Sequence, residues 1–186
     1  MTNKIPIWIQ NINAIQKRAS KQISSKWIQL STIGLDDCPR VRTVVFRGWS
    51  KNYEMEILTD QRSSKFRELE NNNNVEICWL FPKAKTQFRF RGIAKIEMGE
   101  GAVDYWRNLS PHSRSLWAWP LPGETHNMNS SYPLEIKDGI SKPKNFILLK
   151  IEILEVDQLL LQKPIHLRKR WLKSRDWVEE RIGKDA

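Results

Sequence analysis

Trp27-Ile28-Gln29-Leu30-Ser31-Thr32-Ile33, followed by Arg40 to Trp49 and then Glu54 to Thr59, decides the fold. Apolar and polar residues alternate with a period of two, as in a strand with one face buried. The turn cluster Gly34-Leu35-Asp36-Asp37-Cys38-Pro39 closes the first run, and a short polar loop, Ser50 to Tyr53, separates the second from the third. Strands that follow one another at this spacing make an antiparallel meander.

Downstream the period returns to that of a helix. Asp60 to Leu69 reads as helical, with Asp60 or Ser63 as N-cap and the Asn71–Asn74 run as its end. Val75 to Phe81 and Thr86 to Met98 are two more strands, and Gly92 inside the second marks a bulge or bend. Gly101 to Leu109 and Pro111 to Trp117 read as short helices. From 120 to 145 the chain is rich in Pro, Asn, Ser, Lys and Gly, which reads as a surface loop inserted in the domain. Phe146 to Leu154 and Val156 to Leu161 then read as two strands, and a basic segment, His166 to Ile182, follows.

Upstream, residues 6 to 20 read as a helix carrying Ile5, Trp8, Ile9, Ile12 and Ile15 on one face, with Lys17 and Arg18 at its C-terminal end. The expectation is one domain over 1–186. Its class is mainly β with peripheral helices, an antiparallel closed or split β-barrel, which removes exposed strand edges.

Composition narrows the function classes. Charged residues make up 28% of the 186 and apolar residues 40%, a globular balance. No apolar run reaches the roughly 18 residues of a membrane span, and the amphipathic stretch Met1 to Ala14 lacks the apolar centre of a signal peptide, so the expected location is cytoplasmic. Cys38 and Cys78 form no disulfide framework, and His112, His126 and His166 fall in no metal-ligand spacing. The net charge of +10 points to an anionic partner, either nucleic acid or a phosphorylated small molecule.

Two adjacent places carry that charge into the meander. In Arg42-Thr43-Val44-Val45-Phe46-Arg47, parity places Arg42, Val44 and Phe46 on one face and Thr43, Val45 and Arg47 on the other. Cations at both ends of a β-branched run can bracket a flat aromatic ligand with charged ends, although a core strand with charged termini looks the same. At Thr59-Asp60-Gln61-Arg62-Ser63-Ser64-Lys65 a strand gives way to a helix whose first turn offers free N–H groups and positive potential. Hydroxyls and two cations at that junction make a phosphate cradle, without the glycines of a P-loop or dinucleotide fingerprint. A plain N-capped helix is the alternative. In Thr86-Gln87-Phe88-Arg89-Phe90-Arg91, basic and aromatic residues alternate, as in a strand that stacks single-stranded RNA or in an ordinary half-buried strand.

In order along the chain, W-I-Q-L-S-T-I-G, R-T-V-V-F-R-G, I-L-T-D-Q-R-S-S-K, C-W-L-F, T-Q-F-R-F-R-G, L-S-P-H-S-R-S-L-W-A-W-P and W-V-E-E-R-I resemble the FMN-binding split barrels of the pyridoxamine 5′-phosphate-oxidase-like superfamily, most of all the cyanobacterial and plant-type branch. The likeness covers nearly the whole chain except 120–145. It implies FMN as cofactor and a homodimer with flavin at the interface. It further implies that Arg42 pairs with the FMN phosphate and that Ser64 and Lys65 complete the phosphate site, joined by Arg62 and Ser63. By the same likeness Val44 and Val45 run along the ring, Thr59 lies near the flavin, Gln87 reaches the ring through its amide, and Arg170 is contributed across the interface.

For a substrate, the resemblance places Arg47, Trp106, Ser110 and Arg114 where pyridoxamine-phosphate oxidases hold the substrate phosphate, allowing one residue of slip around Tyr105. A family R-x-H-x-R segment becomes His166-Leu167-Arg168-Lys169-Arg170, with its first two polar identities exchanged. The expected function is an FMN-dependent oxidoreductase acting on a small phosphorylated or aromatic substrate, with no side chain needed as a catalytic acid or nucleophile. A genuine pyridoxamine-phosphate oxidase, a flavin-binding module without turnover, and an RNA-binding module are the alternatives. No membrane partner is expected.

Overall fold

A computed structural model describes residues 5–19, 23–124, 131–161 and 164–183. Thus Met1–Lys4, His126 and the centre of the 120–145 loop (125–130) lie outside the described residues, as does Ser20 at the end of the expected first helix. The elements in chain order are α1 (Ile7–Ala19), β1 (Trp27–Ile33), β2 (Pro39–Trp49), β3 (Met55–Asp60), α2 (Ser64–Asn71), β4 (Asn74–Phe81), β5 (Thr86–Glu97), α3 (Glu100–Arg107), α4 (Pro111–Ser115), β6 (Phe146–Leu160), β7 (Leu167–Leu172) and β8 (Glu179–Ile182).

The strands lie in the order β3-β2-β1-β4-β5-β6-β7-β8, every pairing antiparallel, and β6 also pairs with β3. That last pairing closes a six-stranded barrel from which β7 and β8 continue as a hairpin. The expected antiparallel barrel is what the chain forms. No described helix is long and apolar enough to cross a membrane.

Alternation along each strand fills the interior. Ile28 and Leu30 of β1, Val44 and Phe46 of β2, Met55 and Ile57 of β3, Ile77 and Trp79 of β4, and Phe88 and Phe90 of β5 all face inward and are buried. α1 lays Trp8, Ile9 and Ile12 onto this core, with the Trp8 ring 5.4 Å from Trp49 and 5.3 Å from Trp177. A second apolar cluster (Trp106, Trp117, Phe146, Leu148 and Ala102) joins α3 and the turn after α4 to the outer side of the barrel wall.

Three expectations shift. The two strands read on either side of Glu155 are a single strand, β6, whose pairing with β5 slips by one residue between Arg91 and Gly92. Gly92 is therefore the bend that was expected, and a Cβ there would stand 2.3 Å from the Glu152 carbonyl oxygen. The length of β6 follows from its neighbours, because β3 pairs with its first half and β7 with its second. α2 starts at Ser64 and not at Asp60, because Asp60 still pairs with Phe146 as the last residue of β3. The basic segment after 166 folds as β7 and β8, its cations matched to acids: Arg168 to Asp157, Lys169 to Glu179 and Arg170 to Glu180.

Candidate functional site

At one end of the barrel the inward face changes from apolar to polar on three adjacent strands at once. Thr32 continues the inward row of β1, Arg42 that of β2 and Thr59 that of β3. α2 lies over this end, anchored by buried Phe66 and Leu69, and adds Ser63, Lys65 and Glu68. None of the six is near another by local helical or strand spacing alone except the α2 trio; the barrel brings them together.

Lys65 Nζ donates to Thr59 Oγ1 at 2.8 Å and to Ser63 Oγ at 3.2 Å. Burial, and then the neighbouring Arg42 charge, hold its ammonium below the usual lysine range. Arg42 Nη2 donates to the buried Glu68 carboxylate at 2.7 Å, Thr32 Oγ1 donates to the same oxygen at 2.6 Å, and Arg42 Nη1 reaches Thr32 Oγ1. Ser63 occupies the N-cap position of α2 without capping it; its hydroxyl donates instead to the Asp60 carbonyl at 2.7 Å. The first-turn amides therefore remain uncapped by a side chain, and Ser64 stands exposed above them. Two cations, three hydroxyls and a helix N-terminus against one carboxylate suit a phosphate dianion.

Arg62 turns away from this cluster. It clasps Asp60 at 3.0 and 2.8 Å and donates to the Trp119 carbonyl at 3.0 Å. Asn145 donates to Asp60 at 2.9 Å and to the Trp117 carbonyl at 3.0 Å, and the Trp117 indole donates to the Thr59 carbonyl at 3.2 Å. Arg62 is thus part of a brace that ties both ends of the long loop to the end of β3.

Val44 is buried inside the barrel while Val45 is half-buried on its outer face. Gln87 lies on the outer face of β5, paired in register with Leu80 of β4 and Leu159 of β6. Arg170 lies on β7 opposite Asp157 and donates to Glu180 at 3.0 Å. Within one copy, β5 is three strands from β2 around the ring, about 14 Å at ordinary strand spacing. Phe88 and Phe90 are fully inside the core, and Arg89 and Arg91 are matched to Asp157, Glu76 and Glu155, so this strand offers no aromatic face to a nucleic-acid base.

The substrate candidates separate into two groups. Arg47 is the extra residue of a β-bulge, since Phe46 pairs with Ile57 and Gly48 with Glu56. The bulge turns its guanidinium outward, and its Nε is buried without a hydrogen-bond partner. On α3, consecutive side chains diverge by about 100°. Tyr105 is the one that faces Arg47: burial pushes its phenol up, Arg47 pulls it back, and Glu56 pushes it up again. Trp106 points inside, donating to the Ile140 carbonyl at 2.8 Å. Arg114 is 3% exposed, pairs with Asp138 at 2.6 Å and donates to the carbonyls of Trp106 and Arg107. Ser110 caps α4 by accepting from Ser113 N.

Sequence reasoning passed over Glu68, Thr32 and Glu56, and named Tyr105 only as the one-residue slip beside Trp106. Glu68 carried a signal in its three-residue offset from Lys65 on a helix, and Thr32 in its parity with Ile28 and Leu30.

Comparison with known proteins agrees with this fold. Residues 5–98 match the family model "Pyridoxamine 5′-phosphate oxidase, FMN-binding domain". The pyridoxine/pyridoxamine 5′-phosphate oxidase 2 of Arabidopsis thaliana is 33% identical over 175 residues, covering 87% of each chain. A putative pyridoxamine 5′-phosphate oxidase of Caenorhabditis elegans is 29% identical over 108 residues, 58% of this chain and 46% of that protein, so the match spans under half of that relative. Among solved structures, a pyridoxamine 5′-phosphate oxidase-related, FMN-binding protein from Nostoc punctiforme superposes with a TM-score of 0.87 at 26% identity, covering 97% of this chain and 100% of that one. PhzG from Burkholderia lata shares the fold, with a TM-score of 0.78 at 15% identity over 96% of this chain and 92% of its own.

Proposed function

Because this chain belongs to the pyridoxamine 5′-phosphate oxidase FMN-binding family, whose cofactor is FMN, we propose that it works as an FMN-dependent oxidoreductase. The observation that carries the reading is the polar barrel end, where Arg42, Thr59 and Lys65 converge beneath the uncapped N-terminus of α2. In this reading Arg42, Lys65, Ser63 and Ser64 hold the FMN phosphate. Glu68 and Thr32 hold the Arg42 guanidinium in place, and Arg62 steadies the Asp60 turn next to it. Thr59 lies near the ring, and the backbone of Val44 and Val45 runs along it.

FMN supplies reversible two-electron chemistry when bound. The chain supplies binding, orientation and electrostatics. Gln87 offers an amide to the ring edge that gains charge on reduction, and Arg170 offers a cation. Both lie on strands remote from Arg42 in a single copy, which supports a homodimer in which each flavin is completed by a second protomer. Arg47 and Tyr105 form the substrate end of the site, while Trp106 and Arg114 brace the wall behind it. Free Cys38 and Cys78 suit a reducing cytoplasm.

A second reading, oxidation of pyridoxamine or pyridoxine 5′-phosphate itself, is favoured by Arg47 at the substrate end and by the relatives' activity. Purified protein loaded with FMN, tested for oxygen consumption with both phosphates, separates the two. Turnover selects the second reading, and flavin binding with turnover only on other donors selects the first. Flavin binding with no reduction by any donor selects a module without turnover. A protein that stays colourless in excess FMN overturns all of them.

A further inference from the structure

Arg47 is turned outward by its bulge, and the residue across the strand pair from that bulge is a glutamate. Glu56 pairs in register with Gly48 on one side and with Lys150 of β6 on the other. Its side chain leans over Gly48, where an added Cβ would meet Glu56 Oε2 at 3.8 Å. Parity places Arg47 and Glu56 on the same outer face, since Phe46 and Ile57 beside them point into the core. α3 covers this patch: a Cβ on Gly101 would lie 3.4 Å from Lys150 Nζ, and Tyr105, one turn later on the same face, senses the charges of both Arg47 and Glu56.

The charges in this patch are not consumed by one another. Lys150 is drawn to Glu97 at 3.6 Å. Arg47 keeps a buried Nε–H with nothing to donate to. The Glu56 carboxylate has no hydrogen bond or ion pair among the described residues; burial pushes it up, Lys150 draws it down and Glu54 pushes it up further. An unsatisfied donor and an unpaired carboxylate on one face of the strand pair, both acting on the same phenol, call for a ligand carrying both an acceptor and a donor.

We propose that Glu56 is the specificity-determining residue of the substrate end, making the Arg47–Tyr105 anchor a site for a carboxylate monoanion with a neighbouring hydroxyl or amino group and not for a phosphate dianion. This rests on the reading of the barrel end as an FMN site. A carboxylate of the ligand accepts from Arg47 and Tyr105, and its neighbouring donor satisfies Glu56. A dianion placed at Arg47 meets the Glu56 carboxylate or forces it to take up a proton, and either event weakens binding. Lys150 offsets the Glu56 charge only in part, because it is shared with Glu97 at 3.6 Å.

The experiment is equilibrium titration of FMN-loaded protein, read by perturbation of the flavin spectrum. The two probes share a ring: 4-pyridoxic acid, a hydroxypyridine carboxylate, and pyridoxal 5′-phosphate. The wild-type protein is expected to bind 4-pyridoxic acid at least tenfold more tightly. Glu56→Gln, which keeps the shape and removes the charge, is expected to shift the ratio toward the phosphate by tenfold or more. A wild-type preference for pyridoxal 5′-phosphate overturns the inference, as does a ratio unmoved in Glu56→Gln. In both of those outcomes the protein still carries FMN, so the flavin reading stands. A protein that takes up no FMN overturns both.

Discussion

Arg42 on β2 and Glu68 on α2 form an ion pair 2.7 Å long that joins the barrel wall to the helix above it. The carboxylate is almost fully covered, and Thr32 donates to the same oxygen. Removing one partner of such a pair leaves the other charged and desolvated.

Arg42→Ala should therefore act twice. It should weaken FMN binding by about 1.5–3 kcal/mol, the worth of a charge-assisted phosphate contact. It should also lower the stability of the flavin-free protein by about 3–5 kcal/mol by stranding Glu68. Urea denaturation should show the double variant Arg42→Ala/Glu68→Gln to be more stable than Arg42→Ala, while flavin affinity stays low in both. Equal stability of the two variants would mean that loss of Arg42 does not strand Glu68.

With Lys65 at the proposed phosphate site, flavin binding should be sensitive to pH. Its pKa in the folded chain is depressed by burial and by Arg42, so below the ordinary lysine value the unfolded chain binds more protons than the folded one. Stability of the flavin-free protein therefore rises as pH climbs from the depressed folded value to the unfolded one. A bound phosphate favours the charged amine, so FMN affinity should fall as pH rises through the same interval. Lys65→Arg, which keeps its charge, should flatten that fall, and Lys65→Ala should lower affinity at every pH. Flavin fluorescence titrations between neutral and alkaline pH check all three.

Gln87 faces outward on β5, away from the phosphate cluster of its own copy. Gln87→Ala should shift the flavin reduction potential while changing FMN affinity little. A reductive titration beside a reference dye measures the first, and a binding titration the second. A large loss of affinity with an unmoved potential would assign Gln87 to the structure of the pocket.

Gly92 sits where β5 crosses β6 most closely. Gly92→Ala drives a methyl group into the Glu152 carbonyl and should cost about 1–3 kcal/mol, because backbone on both sides must shift. Urea midpoints compared with Gly101→Ala, where the nearest atom is the flexible end of Lys150, should show the larger loss at Gly92.

The meander was legible because its strands keep one parity over most of their length, up to the bulge at Arg47. Trp27–Ile33 has the boundaries read from its alternation, and Arg42 lies on the face shared with Val44 and Phe46 as parity required. The polar junction from Thr59 to Lys65, the proposed phosphate cradle, was legible because it is one contiguous strand-to-helix segment. Tyr105 and Trp106 were not separable in the sequence. Both are aromatic neighbours on a short helix, and only the placement of α3 against β3 and β6 selects the face that meets Arg47. The two-toothed grip of Arg62 on Asp60 was not read from the sequence, although the two residues share one turn.

Local order thus determined the strands, the barrel class, and a basic strand-to-helix junction suited to FMN phosphate. Those features follow from periodicity and from groups adjacent in the chain. Tertiary structure alone decided which charges remain available. Closure of β6 onto β3 and the seating of α2 and α3 commit Arg114 to Asp138 and set Glu68 against Arg42. A charge acts on a ligand only through what is left after its neighbours, and those neighbours come from distant parts of the chain.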